Sequence, residues 1–515
     1  MTTAMNIPLT VREMIDQHAQ QQPERTFLIT PEAQQVMTYA GLQQHARELA
    51  QQLTARGIGK GDKIAMLMDN GYQTVVLMLG AMYAGVVIVP MNAVAGGSVL
   101  EYVLEHSDAR LLFVSEHYAG KFPELLGRVE TIRTTEGLSP FPVDAVQAIS
   151  PENVATEALA ADDYAVLIYT SGTTGRPKGV LLSHKNMLAG GRNTATAHEL
   201  TAEDRGLCVL PLYHINAECV SVMGSLVSGG SIVLPQRFSV SAFWDCLVQN
   251  ECTWFSLVPT IVAYLLDHAE REGLADDNLS YLKSRVRFGR SASAPLSPEM
   301  HKEFEQRFAV SLIETMGLTE TAAQILANPL PPGQIKYGSP GIAYGNEAKI
   351  IDEQGNECPR GVSGELMIRG DNVMCAYYKN EQATNDTLEA DGWLHTGDLA
   401  MQDEEGYFFI TGRLKELIIK GGENISPREI DEALFAHDCV LEAAAFGVPH
   451  RAYGQDVMAC VVLKQGMSTD GEALCSHVRA QLGAFKAPTQ IHIMEELPKG
   501  PSGKVQRLKL VDMVA

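Results

Sequence analysis

Tyr169-Thr170-Ser171-Gly172-Thr173-Thr174-Gly175-Arg176-Pro177-Lys178-Gly179 is the stretch on which the reading of the fold turns. It follows an apolar run at 164–169 and leads into another at 180–182. Small hydroxyl and glycine residues let backbone N–H groups and side-chain hydroxyls approach phosphate oxygens closely, and Lys178 adds a point charge. The spacing is not that of a Walker A loop, because Pro177 precedes the lysine and Gly179 follows it. A P-loop kinase is therefore excluded.

Working outward, strand-like runs alternate with helical patterns. Residues 63–68, 86–89, 110–114, 164–169, 231–234 and 253–257 read as strands, and 73–84 as a buried helix ended by Gly85. This alternation predicts an α/β fold with largely parallel sheets. The longest apolar run, 75–89, is shorter than the ~20 residues of a membrane span.

From about Gly338 the pattern changes to short strands, 347–351, 364–368 and 407–410, separated by glycine and charged turns. Gly412-Arg413-Leu414-Lys415-Glu416 forms a polar junction, followed by strands at 417–419, 442–448 and 457–462. Ser426-Pro427-Arg428-Glu429 reads as a capping box opening a helix to about Ala436. The expected organisation is a large N-terminal domain of layered α/β sheets, 1–413, and a small mobile α+β C-terminal domain, 414–515.

A net charge of −22 over 515 residues argues against nucleic-acid partners and against attraction to anionic lipid. The nine cysteines form no CxxC pair and read as reduced thiols, and the N-terminus shows no signal-peptide pattern. The expected compartment is the cytoplasm, with no membrane insertion.

Further motifs follow the first in a fixed order: Pro211-Leu212-Tyr213-His214-Ile215-Asn216, Met316-Gly317-Leu318-Thr319-Glu320, Trp393-Leu394-His395-Thr396-Gly397-Asp398, Ile410-Thr411-Gly412-Arg413 and Pro498-Lys499-Gly500-Pro501-Ser502-Gly503-Lys504. In this set the chain resembles, over its whole length, the adenylate-forming superfamily of acyl- and aryl-CoA ligases, luciferases and peptide-synthetase adenylation domains. The resemblance implies activation of a carboxylic acid by ATP and transfer of the acyl group to a thiol.

Roles follow by resemblance. Thr170, Ser171, Gly172, Thr173, Thr174 and Lys178 hold the nucleotide phosphates. Thr319 and Glu320 serve a phosphate and its Mg²⁺, an ion that prefers oxygen ligands. Asp398 and Arg413 bind the ribose, while Met316 and Gly317 meet the base. Met316 stands where the family usually carries an aromatic ring. Lys504 stabilises charge as the carboxylate attacks the α-phosphate. Lys415 is the hinge, and Lys420, Gly421 and Gly422 face CoA. The acyl pocket is lined by 214–219, 289–294 and 316–324, with His214 (also a catalytic candidate), Asn216, Arg290 and Ser291 as its marked residues.

Those stretches hold small and polar side chains, which disfavours a long fatty acid. Arg290 suits a second anionic group on the acid; a structural ion pair or a solvent-facing position is its other reading. Arg290-Ser291-Ala292-Ser293-Ala294, Ala327-Asn328-Pro329-Leu330-Pro331 and Thr253-Trp254-Phe255 are similar to segments of oxalate–CoA ligases, yet the pocket histidine of plant members is Ala323 here. The expectation is a small polar or anionic acid, oxalate-, sulfoacetate- or carnitine-like. Medium-chain or aryl acids, a carrier-protein acceptor and a nucleotide-binding pseudoenzyme are the alternatives, and a homodimer is left open.

Overall fold

The computed structural model describes residues 8–134, 157–170, 177–499 and 505–514. Two large sheets carry most of the chain. One has seven strands in the order Ala376–Tyr377, Lys178–Ser183, Tyr164–Thr170, Val87–Pro90, Lys63–Leu67, Ala109–Ser115, Glu130–Thr134. The other has nine: Ile342–Ala343, Ala323–Ala327, Leu312–Leu318, Phe288–Ser291, Trp254–Leu257, Arg205–Cys208, Ser231–Val233, Thr26–Thr30, Gln35–Thr38.

The expected α/β layering is present, and the parallel pairing occupies the centres of both sheets. Antiparallel pairs flank it, as between Tyr164–Thr170 and Lys178–Ser183, or Leu312–Leu318 and Ala323–Ala327, although the edge strand Glu130–Thr134 is parallel to its neighbour. Strands buried on both faces read as continuous apolar runs, which is why 63–68 and 86–89 were legible without alternation.

Helix Tyr72–Ala84 is buried at every position but its last. It is apolar all round, the pattern of a helix enclosed by neighbours. Its Gly80 lets helix Tyr39–Ala55 pack closely: a Cβ there would lie 2.6 Å from Leu49 Cδ2. Gly85, at φ 81°, ends it in the left-handed conformation that glycine adopts freely. One apolar cluster joins Ile64, Ile88 and Leu111 of the seven-stranded sheet to Phe27, Leu207 and Ile232 of the nine-stranded sheet, so the two share a core.

A four-stranded antiparallel sheet, Glu347–Ile351, Gly364–Arg369, Leu394–Gln402 and Phe408–Arg413, follows. A five-stranded sheet draws only on residues after the polar junction, with Val440–His450 and Gly454–Leu463 as its long pair. Helix Pro427–Phe435 forms where expected, but the capping box does not. The Ser426 hydroxyl donates instead to the Thr411 carbonyl, and the Glu429 carboxylate pairs with Lys486. A carbonyl across the junction and a lysine of the small sheet's own helix Gly471–Lys486 have outcompeted the local cap.

Candidate functional site

In open α/β sheets, ligand sites gather beyond the carboxyl ends of parallel strands. The candidate residues obey that rule. Pro211–Asn216 follows strand Arg205–Cys208, Arg290 and Ser291 end strand Phe288–Ser291, and Met316 and Gly317 lie late in Leu312–Leu318.

Thr170 and Lys178 are directly opposed across the antiparallel pair that brackets the glycine-rich stretch. Ser171, Gly172, Thr173 and Thr174 lie outside the described residues, as does Lys504. Lys178 Nζ sits 4.6 Å from the centre of the Tyr377 ring. The Tyr377 hydroxyl donates to Glu320 Oε1 at 2.8 Å, and burial together with the Glu320 carboxylate pushes that phenol up from its ordinary value. Glu320 itself is half-buried on the short 3-10 helix Thr319–Thr321, anchored where Met374 N–H donates to its carbonyl at 2.8 Å. A cation, a phenol and a carboxylate are thereby lined up near the end of strand Tyr164–Thr170.

Among the described residues no group of three or more His, Cys, Asp or Glu side chains gathers to hold a metal. A single carboxylate such as Glu320 fits an ion like Mg²⁺, which keeps waters and takes its other oxygens from phosphates.

Asp398 is almost fully buried, and Arg413 faces it on the neighbouring strand. The guanidinium closes on the carboxylate through Nε at 2.5 Å and Nη2 at 3.3 Å. Burial opposes the charge of Arg413, but the carboxylates of Asp398, Glu416 and Glu320 outweigh it and hold the group above its ordinary value. Met316 is half-buried and packs against the apolar cluster of Ile325, Ile350, Ile368 and Phe408.

The acyl candidates separate. Asn216, Arg290 and Gly317 line a cavity of about 30 Å³ together with Ala323 and Gln324. His214 and Ser291 do not line it. Ser291 is fully buried with its hydroxyl unpartnered among the described residues, and His214 packs edge-on against Tyr213 at 4.7 Å. Gly317 forms the cavity wall by necessity, since a Cβ there would meet the Ala323 carbonyl oxygen at 2.1 Å.

Arg290 is 1 % exposed. Its Nη1 donates to Asn216 Oδ1 (2.6 Å) and Ser256 Oγ (3.0 Å), its Nη2 to Thr315 Oγ1 (2.5 Å) and Gln324 Oε1 (3.3 Å). All four partners are neutral, and Nε has none among the described residues. So neither alternative reading, a structural ion pair or a solvent-facing side chain, describes it among the described residues. Burial pushes the guanidinium down to about 9, which leaves it charged at neutral pH.

Beyond the junction, Lys415 is exposed on the 3-10 turn Leu414–Glu416. Arg507 ties that turn to the small sheet, bonding Glu416 Oε2 at 3.1 Å and pairing with Asp431. Lys420 is buried: it pairs with Asp456 at 2.7 Å and donates to the Phe485 carbonyl at 2.9 Å. Gly421 and Gly422 form the exposed turn between strands Ile418–Lys420 and Glu423–Ile425, with φ of 60° and 88°.

Tyr377, Gln324 and His198 were not marked individually from sequence. Their contacts span 57 residues for Tyr377 to Glu320 and 126 for His198 to Gln324, beyond the reach of any local motif.

Comparison with known proteins agrees with this arrangement. Residues 15–378 match the AMP-binding enzyme family, and residues 429–504 its C-terminal domain. The sulfoacetate–CoA ligase of Cupriavidus necator is 45% identical over 98% of this chain and 97% of its own. The oxalate–CoA ligase of Arabidopsis thaliana is 34% identical, over 92% of each. The ATP-bound MatB of Rhodopseudomonas palustris superposes with a TM-score of 0.88 at 29% identity, covering 98% of this chain and all of that one.

Proposed function

The chain belongs to the AMP-binding enzyme family, and from that premise we propose that it joins sulfoacetate, or a small acid with a comparable second anionic group, to coenzyme A. It is an AMP-forming acid–CoA ligase for small anionic acids. In the first half-reaction a carboxylate oxygen of the acid attacks the α-phosphorus of ATP, and the bond to pyrophosphate breaks. In the second, the CoA sulfur attacks the acyl carbon, its proton departs and AMP leaves.

The residues divide accordingly in this reading. Thr170 to Thr174 and Lys178 hold phosphates, Met316 and Gly317 the base, and Asp398 with Arg413 the ribose. Lys504 stabilises the charge that develops at the α-phosphate. Glu320, with Thr319, would hold Mg²⁺, which neutralises phosphate charge. The chain divides at Arg413, so that rotation about Lys415 withdraws Lys504 and brings Lys420, Gly421 and Gly422 to the thiol. His214 is the catalytic candidate beside the acyl pocket. All nine cysteines are free, which favours the reducing cytoplasm.

The observation that carries the substrate assignment is Arg290: a buried guanidinium that lines a cavity and has only neutral partners among the described residues. A buried charge without a counter-ion is costly unless a ligand supplies one. CoA-dependent release of AMP, measured with sulfoacetate, malonate, oxalate, carnitine, benzoate, hexanoate and palmitate, tests it. Turnover confined to acids with a second anionic group supports the assignment; preference for hexanoate, benzoate or palmitate overturns it.

A further inference from the structure

Behind the cavity, one amide oxygen receives two donors. Gln324 Oε1 lies 3.3 Å from Arg290 Nη2 and 3.1 Å from His198 Nε2. A guanidinium can only donate, so the oxygen end of the amide must face it. A swapped amide would set NH₂ against a guanidinium. The ring nitrogen facing that same oxygen must then carry a hydrogen, which assigns His198 the Nε2–H form.

The rest of the histidine agrees. It is fully buried at the end of helix His184–Ala197, stacked on Phe288 at 4.9 Å, and its Nδ1 has no partner among the described residues. Burial, and then the charges of Arg290 and Arg287, hold the ring down to about 3, so it is neutral at physiological pH.

With the oxygen occupied, the amide nitrogen of Gln324 is left buried without an acceptor among the described residues, and so is Arg290 Nε. Both residues line the cavity, and buried donors are seldom left unsatisfied. We infer that His198 is a positioning residue for acid selectivity: its Nε2–H and Arg290 Nη2 together hold the Gln324 amide oxygen, and this leaves the amide NH₂ and Arg290 Nε as the donors that receive an oxygen of the acid's second anionic group. This rests on the reading of the cavity as the acyl site for an anionic acid.

The test is steady-state kinetics of the full chain with sulfoacetate and with propionate, which lacks a second anion. His198→Phe keeps the stacking and removes the donor, whereas His198→Gln keeps a donor at the position of Nε2. The expected result for His198→Phe is a rise in KM for sulfoacetate of about tenfold or more, with kcat, the KM for propionate and the KM for ATP within about threefold of the parent. His198→Gln recovers most of that loss, and Gln324→Met reproduces it should the phenylalanine variant not fold. Equal effects on both acids, or none, for both His198→Phe and Gln324→Met overturn the inference.

Arg290→Met separates the two levels of argument. Loss of the preference for sulfoacetate in Arg290→Met, but not in the His198 and Gln324 variants, removes only the positioning role. A parent enzyme that turns over propionate as readily as sulfoacetate overturns the reading of the cavity itself.

Discussion

Asp398 and Arg413 are directly opposed residues of two antiparallel strands, joined by a two-point ion pair in which the carboxylate is buried and the guanidinium partly open. A carboxylate held this way keeps lone pairs for hydroxyls while its own position is fixed. Asp398→Asn is expected to raise the KM for ATP by about ten- to a hundredfold, the range for a hydrogen bond to a charged group. Arg413→Lys is not conservative here, because an ammonium cannot make both contacts. Initial rates against ATP at saturating acid and CoA check both, and a double variant no worse than either single one shows that the two act as a unit.

Tyr377 stands between Lys178 and Glu320. Tyr377→Phe keeps the ring beneath the lysine and removes the hydrogen bond to Glu320. The expected outcome is a several-fold increase in the Mg²⁺ concentration needed for half-maximal adenylation, with the KM for CoA unchanged. Pyrophosphate release titrated with Mg²⁺ reads it directly.

Lys420 is committed to Asp456 inside the small sheet. Removing one member of a buried pair leaves the other charge uncompensated, a loss of about 3–5 kcal/mol. Lys420→Met should therefore lower the melting temperature, and Lys420→Met with Asp456→Asn should regain most of it. If the double variant is stable and its KM for CoA is still raised, Lys420 contacts CoA as well as the fold.

Glu218 is fully buried on the π-helical stretch Asn216–Met223, with neither carboxylate oxygen partnered among the described residues. Burial pushes it up to about 8. A group raised on folding stays protonated in the native state while the unfolded chain ionises. Its stability contribution is thus complete below about 4.5 and is lost as pH rises towards 8. Glu218→Gln should flatten that decline: its melting temperature relative to the parent rises between pH 5 and 8, which thermal denaturation at both values measures.

Much of this was legible in the sequence, for physical reasons that differ by residue. The strand 347–351 was read to its exact limits because glycine and charge flank it, and the helix at 73–84 to within one residue because Gly85 must end it. Asn216 and Arg290, expected in the acyl pocket, both line one cavity, but the nature of Arg290's surroundings was not readable. Those come from Asn216, Ser256, Thr315 and Gln324, four segments that only the folded sheet brings together. His214 and Ser291 do not line that cavity: Ser291 neighbours Arg290 on one strand, where successive side chains point to opposite faces, and His214 lies in the bend before the π-helical stretch Asn216–Met223. Ser426 misled for the opposite reason: its local pattern was sound, and a carbonyl fifteen residues earlier took the hydroxyl.

The Arg290 guanidinium also makes the fold itself a reporter. An anion that enters the cavity and satisfies those buried donors binds only the folded chain, and at a hundred times its dissociation constant stabilises it by about 2.7 kcal/mol. A simple melting scan against a shelf of small acids, with neither ATP nor CoA in the tube, would rank ligands by how well each completes a half-finished ion pair. The molecule can thus be asked for its substrate before it is ever asked to turn over.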